Sequence, residues 1–230
     1  MTSPDYGLLP RDKTFARLLP AYALPYFAYV ALAAVPEAEL RAALQLVVVG
    51  ALLLAFRRQY RFGPGLTKQA LPWIIGGAVF ALALWILSLR LCLELPWWRA
   101  RAAAGALEFS PLYLALRGFN SALLVPVFEE QLCRVYIPEF LAAGWDALGR
   151  LPKALGAPPV HFTALAGAAV FFASGHPGPA LVPAALYFLF TSWVYARTRS
   201  FRAVVAIHAL VNLAIAALAG LRPELRFLWS

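Results

Sequence analysis

Repeated apolar runs of nearly membrane-spanning length constrain the fold of this chain more than any other feature. A helix needs about 20 apolar residues to cross a bilayer, and a chain of 230 residues is too small to bury several such runs in a soluble core. Its residues are 62% hydrophobic and 13% charged, against about 45–50% and about 25% in soluble domains. The sequence therefore predicts an all-α, polytopic bundle of transmembrane helices rather than a soluble all-helical protein.

The apolar runs are the candidate spans, and two prolines interrupt the long fourth run. Arginines end several of the runs, as expected where side chains reach the lipid headgroups. We therefore expect about seven to eight spans in a single integral membrane domain over residues 1–230. In chain order the runs are residues 18–35, 42–56, 71–89, 112–141, 162–176, 180–196 and 203–221.

Basic residues set the expected orientation of the chain. The N-terminal segment and the loops after the second and sixth runs are rich in arginine and lysine, whereas the first loop carries Arg41 beside two glutamates. Positive loops stay in the cytoplasm, so we expect a cytoplasmic N-terminus and an uncleaved first span. The connection after the third run, with Arg90, Arg99 and Arg101, runs against this pattern.

Composition also indicates location and partners. The alanine-rich and arginine-rich chain is typical of bacteria, which points to the inner (plasma) membrane. Its net charge of +9 lies mostly beside apolar runs, where it anchors helices at headgroups, so no nucleic-acid partner is expected. Residues 94–110 and 139–159 combine tryptophans with basic residues, and this pattern predicts connectors at the membrane interface.

Two adjacent carboxylates, Glu129 and Glu130, lie inside the fourth run. A charged side chain at this depth costs roughly 2.5–3.5 kcal/mol on insertion scales, so such residues are rare and usually functional. On a helix Glu130 and Arg134 are four residues apart, in the favourable order for an ion pair. Glu129 lies about 100° away from them. We therefore expect Glu129 to lie outside this ion pair and to be available for catalysis. A purely structural network of all three residues is the alternative.

Two histidines and an asparagine recur in later runs. His176 follows Phe172 at helical spacing and precedes a proline, which places it near a helix end. His208 and Asn212 lie four residues apart on one face of the last run, where both are costly unless they face the bundle interior. Interfacial, capping or helix-packing roles stay open for each residue alone. Together with Glu129 they supply the base and hydrogen-bond donors that peptide hydrolysis requires.

The three motifs Glu-Glu-x-x-x-Arg, Phe-x-x-x-His and His-x-x-x-Asn, in this order on separate apolar runs, resemble those of the CAAX prenyl endopeptidases and bacteriocin-processing enzymes, the CPBP or Abi membrane peptidases. The likeness lies within a motif region at about 112–221. It implies an intramembrane glutamic endopeptidase in which Glu129 activates water and His176 assists as a proton partner. It also implies that His208 and Asn212 bind the oxyanion, while Glu130 and Arg134 hold the site or the substrate.

Partners and cofactors follow from the same resemblance. It implies contact with membrane lipid and a peptide or protein substrate, and it leaves open whether that substrate is lipidated. Cys133 stands where the family often has phenylalanine, which could alter the pocket. No cofactor is expected.

Three other functions compete with the peptidase. A glutamate with two histidines is a possible zinc set, so a metal-dependent membrane hydrolase is one alternative, although no His-Glu-x-x-His helix is present. A serine intramembrane protease built on Ser174 and His208 is another. The third is a non-catalytic membrane scaffold or transporter, in which the polar residues line inner helix faces.

The position of His176 poses a depth problem for one straight fourth helix. Such a helix would place Glu129 in its cytoplasmic half, whereas His176 would lie at the opposite end of the fifth. Proline is favourable at a first helical position. We therefore predict a break near Pro126, with Glu129 near the start of a new helix beside His176.

Overall fold

The computed structural model describes residues 15–60, 62–63, 65–96, 110–138, 140–141, 160–176, 178–222 and 225–226. Within these ranges every regular element is helical, so the predicted all-α fold is confirmed. Most of the two predicted interfacial connectors lies outside the described residues. The seven helices are α1 (Phe15–Leu32), α2 (Ala38–Phe56), α3 (Leu71–Leu93), α4 (Pro111–Tyr136), α5 (Val160–Ser174), α6 (Leu181–Thr198) and α7 (Phe201–Leu221).

Five of these helices, α2, α3, α4, α6 and α7, are long and apolar enough to cross a membrane. Their outer faces carry large apolar side chains such as Val79 and Leu91, which are 67% and 71% exposed, as lipid contact requires. The chain is therefore an integral membrane protein. The larger predicted count of seven to eight spans stays a prediction, because among the described residues only five helices meet both criteria.

Helix packing joins the two halves of the sequence. α3 packs against both α6 and α7, α7 also packs against α4, and α5 packs against α6. α1 packs against α2 and contacts α4. α1 and α3, which precede the motif region in the sequence, therefore pack against helices of that region.

α4 departs from a uniform α-helix at two places. The segments Asn120–Leu124 and Gln131–Tyr136 are π-helical, while the backbone stays helical at Leu124, with φ −84° and ψ −49°. The predicted break near Pro126 is therefore wrong. A proline ring clashes with the carbonyl four residues earlier in an α-helix, and the wider π-type turn directly before Pro126 accommodates the ring without ending the helix.

The packing of α5, rather than a break in α4, brings His176 to Glu129. α5 packs against the π-helical segment Gln131–Tyr136 of α4 and against α6, and it ends at Ser174. His176 follows this end directly and interacts electrostatically with the Glu129 carboxylate.

Candidate active site

Glu130 and Arg134 form the buried ion pair that their spacing predicts. Arg134 Nε donates to Glu130 Oε2 at 2.6 Å, and Glu130 is fully buried. The guanidinium also donates to Thr191 Oγ1 at 2.8 Å and Ser192 Oγ at 2.6 Å, and it lies 4.4 Å from the centre of the Phe188 ring. Such charge-assisted bonds compensate the cost of burying the pair. Arg134 thus ties α4 to α6, an arrangement typical of a structural residue.

His208 connects the two glutamates. Its Nδ1 lies 3.0 Å from Glu130 Oε1, and its Nε2 lies 3.8 Å from Glu129 Oε2. An ionised carboxylate only accepts hydrogen bonds, so Nδ1 carries a proton. Glu130 therefore orients the imidazole so that Nε2 is directed toward Glu129, as a carboxylate does for a metal-bound or catalytic histidine. The spacing within one helix gave no sign of this second contact of Glu130.

Glu129 is buried but less completely paired than its neighbour. It is 9% exposed, and its Oε2 has no hydrogen-bond partner among the described residues. The carboxylate interacts electrostatically with His176, His208 and Glu130. Buried polar atoms nearly always have a hydrogen-bond partner, in the protein or in bound water, so this oxygen marks a place for a water molecule or a substrate group.

His176 is oriented by its own motif. Its Nδ1 lies 3.0 Å from the Phe172 carbonyl oxygen, which can only accept, so Nδ1 is the donor here as well. The Phe172 ring lies 4.9 Å from the His176 ring and 6.2 Å from the His208 ring, measured between centroids. Phe172 therefore contacts both imidazoles, and the three rings belong to one aromatic cluster.

Asn212 contacts the backbone of α4. Its Nδ2 donates to the Ser121 carbonyl at 2.8 Å. This carbonyl lacks a regular helical donor, because the N–H of Val125 donates to Asn120 and Pro126 has no N–H. The asparagine thus satisfies a main-chain group that the proline leaves unpaired. Its amide has a second N–H, and this is the one that a substrate oxygen would have to use.

Three aromatic residues at the site carried no distinguishing sequence signal. Tyr187 of α6 lies 5.2 Å from the His208 ring, and Trp85 of α3 lies 5.9 Å from the His176 ring. A Cβ built at Gly175 would lie 2.7 Å from the Tyr26 hydroxyl, so α1 also reaches the residue before His176. Sequence patterns alone do not separate such aromatics from those that only pack or face lipid.

Two of the alternative chemistries find little support in the geometry. Ser174 is exposed, and its hydroxyl donates to the Phe171 carbonyl at 2.7 Å, whereas His208 is buried beside the two glutamates. Among the described residues, no three histidine, cysteine or carboxylate side chains are grouped so that they could hold one metal ion. The expectation that no cofactor is used stays a prediction, which a chelator experiment tests.

Fold and geometry together define an integral membrane protein with a buried carboxylate–imidazole site between helices. Residues 110–214 match the family model for type II CAAX prenyl endopeptidase Rce1-like proteins. This segment is therefore an Rce1-like domain, and the predicted resemblance to the CAAX protease family is confirmed. Comparison with curated proteins and with solved structures found no match to the chain. The family and the five apolar helices support a membrane protease.

Proposed function

We propose that this protein is an intramembrane glutamic endopeptidase that hydrolyses a peptide bond of a membrane-associated substrate. One observation carries the proposal: the buried Glu129 carboxylate has an oxygen without a hydrogen-bond partner among the described residues, 3.8 Å from His208 Nε2. His176 interacts electrostatically with the same carboxylate. A carboxylate and two imidazoles in one site are groups that accept and return protons, and the Rce1-like domain agrees with this chemistry.

The reaction begins when Glu129 accepts a proton from a water molecule. The water oxygen forms a bond to the carbonyl carbon of the substrate, and the electron pair of the C=O double bond moves onto the carbonyl oxygen. When the double bond re-forms, the C–N bond breaks and the nitrogen takes up a proton. His176 assists Glu129 in passing that proton to the leaving amine.

His208 and Asn212 stabilise the negative oxygen of the intermediate in this proposal. Donors placed where charge develops are usually the largest single contribution to such catalysis. His208 Nδ1 donates to Glu130, so His208 donates to the oxyanion through Nε2 only in its doubly protonated form. Asn212 contributes the N–H that Ser121 does not use. Glu130 and Arg134 keep His208 and α6 in position.

The cellular setting is part of the same proposal. The chain lies in a bacterial inner membrane as one domain over residues 1–230, with about seven to eight spans and a cytoplasmic N-terminus. Its partners are membrane lipid and a peptide or protein substrate, and lipidated chain ends are one substrate class to include in any screen. No cofactor takes part.

Substituting Glu129→Gln tests the proposal directly. The amide keeps the shape of the side chain but does not take a proton from water, so kcat/KM falls by about 10²–10⁴-fold. The measurement is cleavage of a membrane-peptide library by the purified protein in lipid nanodiscs, followed by kinetics on one cleaved peptide. Glu37→Gln is the matched control, because Glu37 is an exposed carboxylate in the loop before α2, and it keeps full activity.

Three outcomes separate the competing functions. Full activity of Glu129→Gln contradicts the glutamate mechanism. Activity that a chelator removes and zinc restores favours the metal-dependent hydrolase. A wild-type chain that cleaves nothing but whose cellular function survives Glu129→Gln acts as a scaffold or transporter.

A further inference from the structure

The hydroxyl of Tyr187 is a buried donor for which the described part of the chain offers no acceptor. Tyr187 is 2% exposed, and its Oη has no hydrogen-bond partner among the described residues. Nε1 of Trp85 is also a buried atom without a hydrogen-bond partner among the described residues. The Trp85 ring lies 6.5 Å from the Tyr187 ring. Buried tyrosine hydroxyls and indole N–H groups usually find a partner, because an unpaired buried donor is unfavourable. Two such donors in adjacent side chains point to a ligand.

These donors lie within the candidate active site. The Tyr187 ring is 5.2 Å from the His208 ring and 6.1 Å from the Phe172 ring, while Trp85 contacts His176. Tyr187 also interacts electrostatically with Glu129. Trp85, Phe172 and Tyr187 thus form a closed series of ring contacts with the two histidines. Any substrate that reaches Glu129 and the histidines comes close to Tyr187.

Without the Tyr187 hydroxyl, the groups around Glu129 are mainly hydrogen-bond acceptors. The Nδ1 atoms of His176 and His208 both donate to protein oxygens, so in the neutral imidazoles Nε2 is an acceptor. The ionised Glu129 carboxylate accepts as well. A water molecule can donate to such groups, but the carbonyl oxygen of a peptide cannot. Asn212 already donates one of its two N–H groups to Ser121.

We infer that Tyr187 is a further catalytic residue, whose hydroxyl donates a hydrogen bond to the carbonyl oxygen of the scissile peptide bond. This inference rests on the proposed peptidase function and adds a neutral donor that works in every protonation state of His208. The bond strengthens as the electron pair of the carbonyl moves onto oxygen, because the acceptor becomes charged. No proton leaves Tyr187 in this step.

Tyr187→Phe removes the oxygen atom and leaves the ring contacts in place. We expect kcat/KM for a cleaved peptide to fall about 10²-fold, the typical loss for one oxyanion donor, with KM nearly unchanged. Thermal stability in nanodiscs stays equal or rises, because the lost hydroxyl makes no hydrogen bond to any residue that the structure describes. A purely structural hydroxyl would give the opposite result, with lower stability and an intact kcat.

Tyr60→Phe is the matched control. The Tyr60 hydroxyl is buried and donates to the Ala21 carbonyl at 2.7 Å, at the N-terminal half of α1. Its removal lowers the melting temperature and leaves kcat/KM unchanged. Wild-type kcat/KM in Tyr187→Phe, alongside an inactive Glu129→Gln, overturns the role of Tyr187 but keeps the peptidase. A wild-type chain that cleaves no peptide overturns both.

Discussion

At the scale of single residues, Glu130 is the side chain on which the site depends. It accepts from Arg134 on its own helix and from His208 on α7, at 2.6 and 3.0 Å. Arg134 in turn donates to Thr191 and Ser192 of α6. One fully buried carboxylate therefore joins three helices and orients the imidazole beside Glu129. A membrane interior tolerates this charge only because its partners are so complete.

Removing the arginine therefore destabilises the fold strongly. Arg134→Met leaves the Glu130 carboxylate without its cation, and breaking one side of a buried pair costs about 3–5 kcal/mol. The measurement is the free energy of unfolding in detergent micelles. Arg197→Met serves as the control, because Arg197 is exposed near the end of α6 and lies 5.6 Å from the Trp193 ring. That contact is worth about 0.5–1 kcal/mol, and equal losses in both variants would contradict the prediction.

Helical spacing predicted part of this residue network. The i, i+4 relation of Glu130 and Arg134 depends only on helix geometry, and the ion pair is present. The contact of Glu130 with His208 joins residues 78 positions apart, and no local pattern encodes which helices become neighbours. Thr191 and Ser192 were missed for the same reason, since hydroxyl side chains in apolar helices usually bond to their own backbone.

At the scale of helices, α4 is shaped by Pro126 and by Asn212 of α7. The proline follows a π-helical segment, and the asparagine amide fills the place of the missing N–H at the Ser121 carbonyl. A π-type turn rotates the residues after it relative to those before it. The direction in which Glu129 points therefore depends on this segment. π-Helical segments have no simple residue pattern, so the sequence predicted a break where the helix continues.

Pro126 and Asn212 are expected to be energetically coupled. Asn212→Leu leaves the Ser121 carbonyl unpaired, which costs about 1–3 kcal/mol. In a Pro126→Ala chain the backbone regains an N–H, so the same substitution costs less. Unfolding free energies of the four chains give the coupling, expected at about 1 kcal/mol within the usual range for contacting residues.

A side-chain hydrogen bond elsewhere in the fold provides the control for this double-mutant cycle. Gln45 Nε2 donates to the Tyr29 carbonyl at 3.0 Å, between α2 and α1. Gln45→Leu should be additive with Pro126→Ala, since the two sites share no partner. If the effects of Asn212→Leu and Pro126→Ala on the unfolding free energy also add, the asparagine does not replace the N–H donor that the proline lacks.

At the scale of the whole molecule, composition and hydropathy predicted the architecture well. All seven helices lie at the predicted runs, within a few residues at most ends. Burial in lipid makes the signal strong, because every backbone group must be paired within a helix. The meeting of α5 with α4 was predicted for the wrong reason. The packing of α5 against the Gln131–Tyr136 segment of α4, rather than a break in α4, brings His176 near Glu129. No local pattern in the sequence encodes that contact.

Orientation in the membrane gives a prediction for the whole chain. In a background with Cys92→Ala and Cys133→Ala, we expect Glu37→Cys to react with a membrane-impermeant maleimide in intact cells. Arg58→Cys should react only after the membrane is opened, because arginine-rich loops stay in the cytoplasm. Both positions are exposed, in the loops before and after α2. The reverse labelling pattern would place the N-terminus outside.

The placement of Trp85 and Tyr26 outside residues 110–214 has a consequence for engineering. A chimaera that joined this segment to foreign N-terminal helices would inherit both carboxylates and both imidazoles. It would lose the indole beside His176 and the phenol beside Gly175. The groups proposed to transfer protons and two of the aromatic side chains around His176 thus lie in separate stretches of the polypeptide. Such a chimaera would show whether the proposed activity survives with different aromatic neighbours.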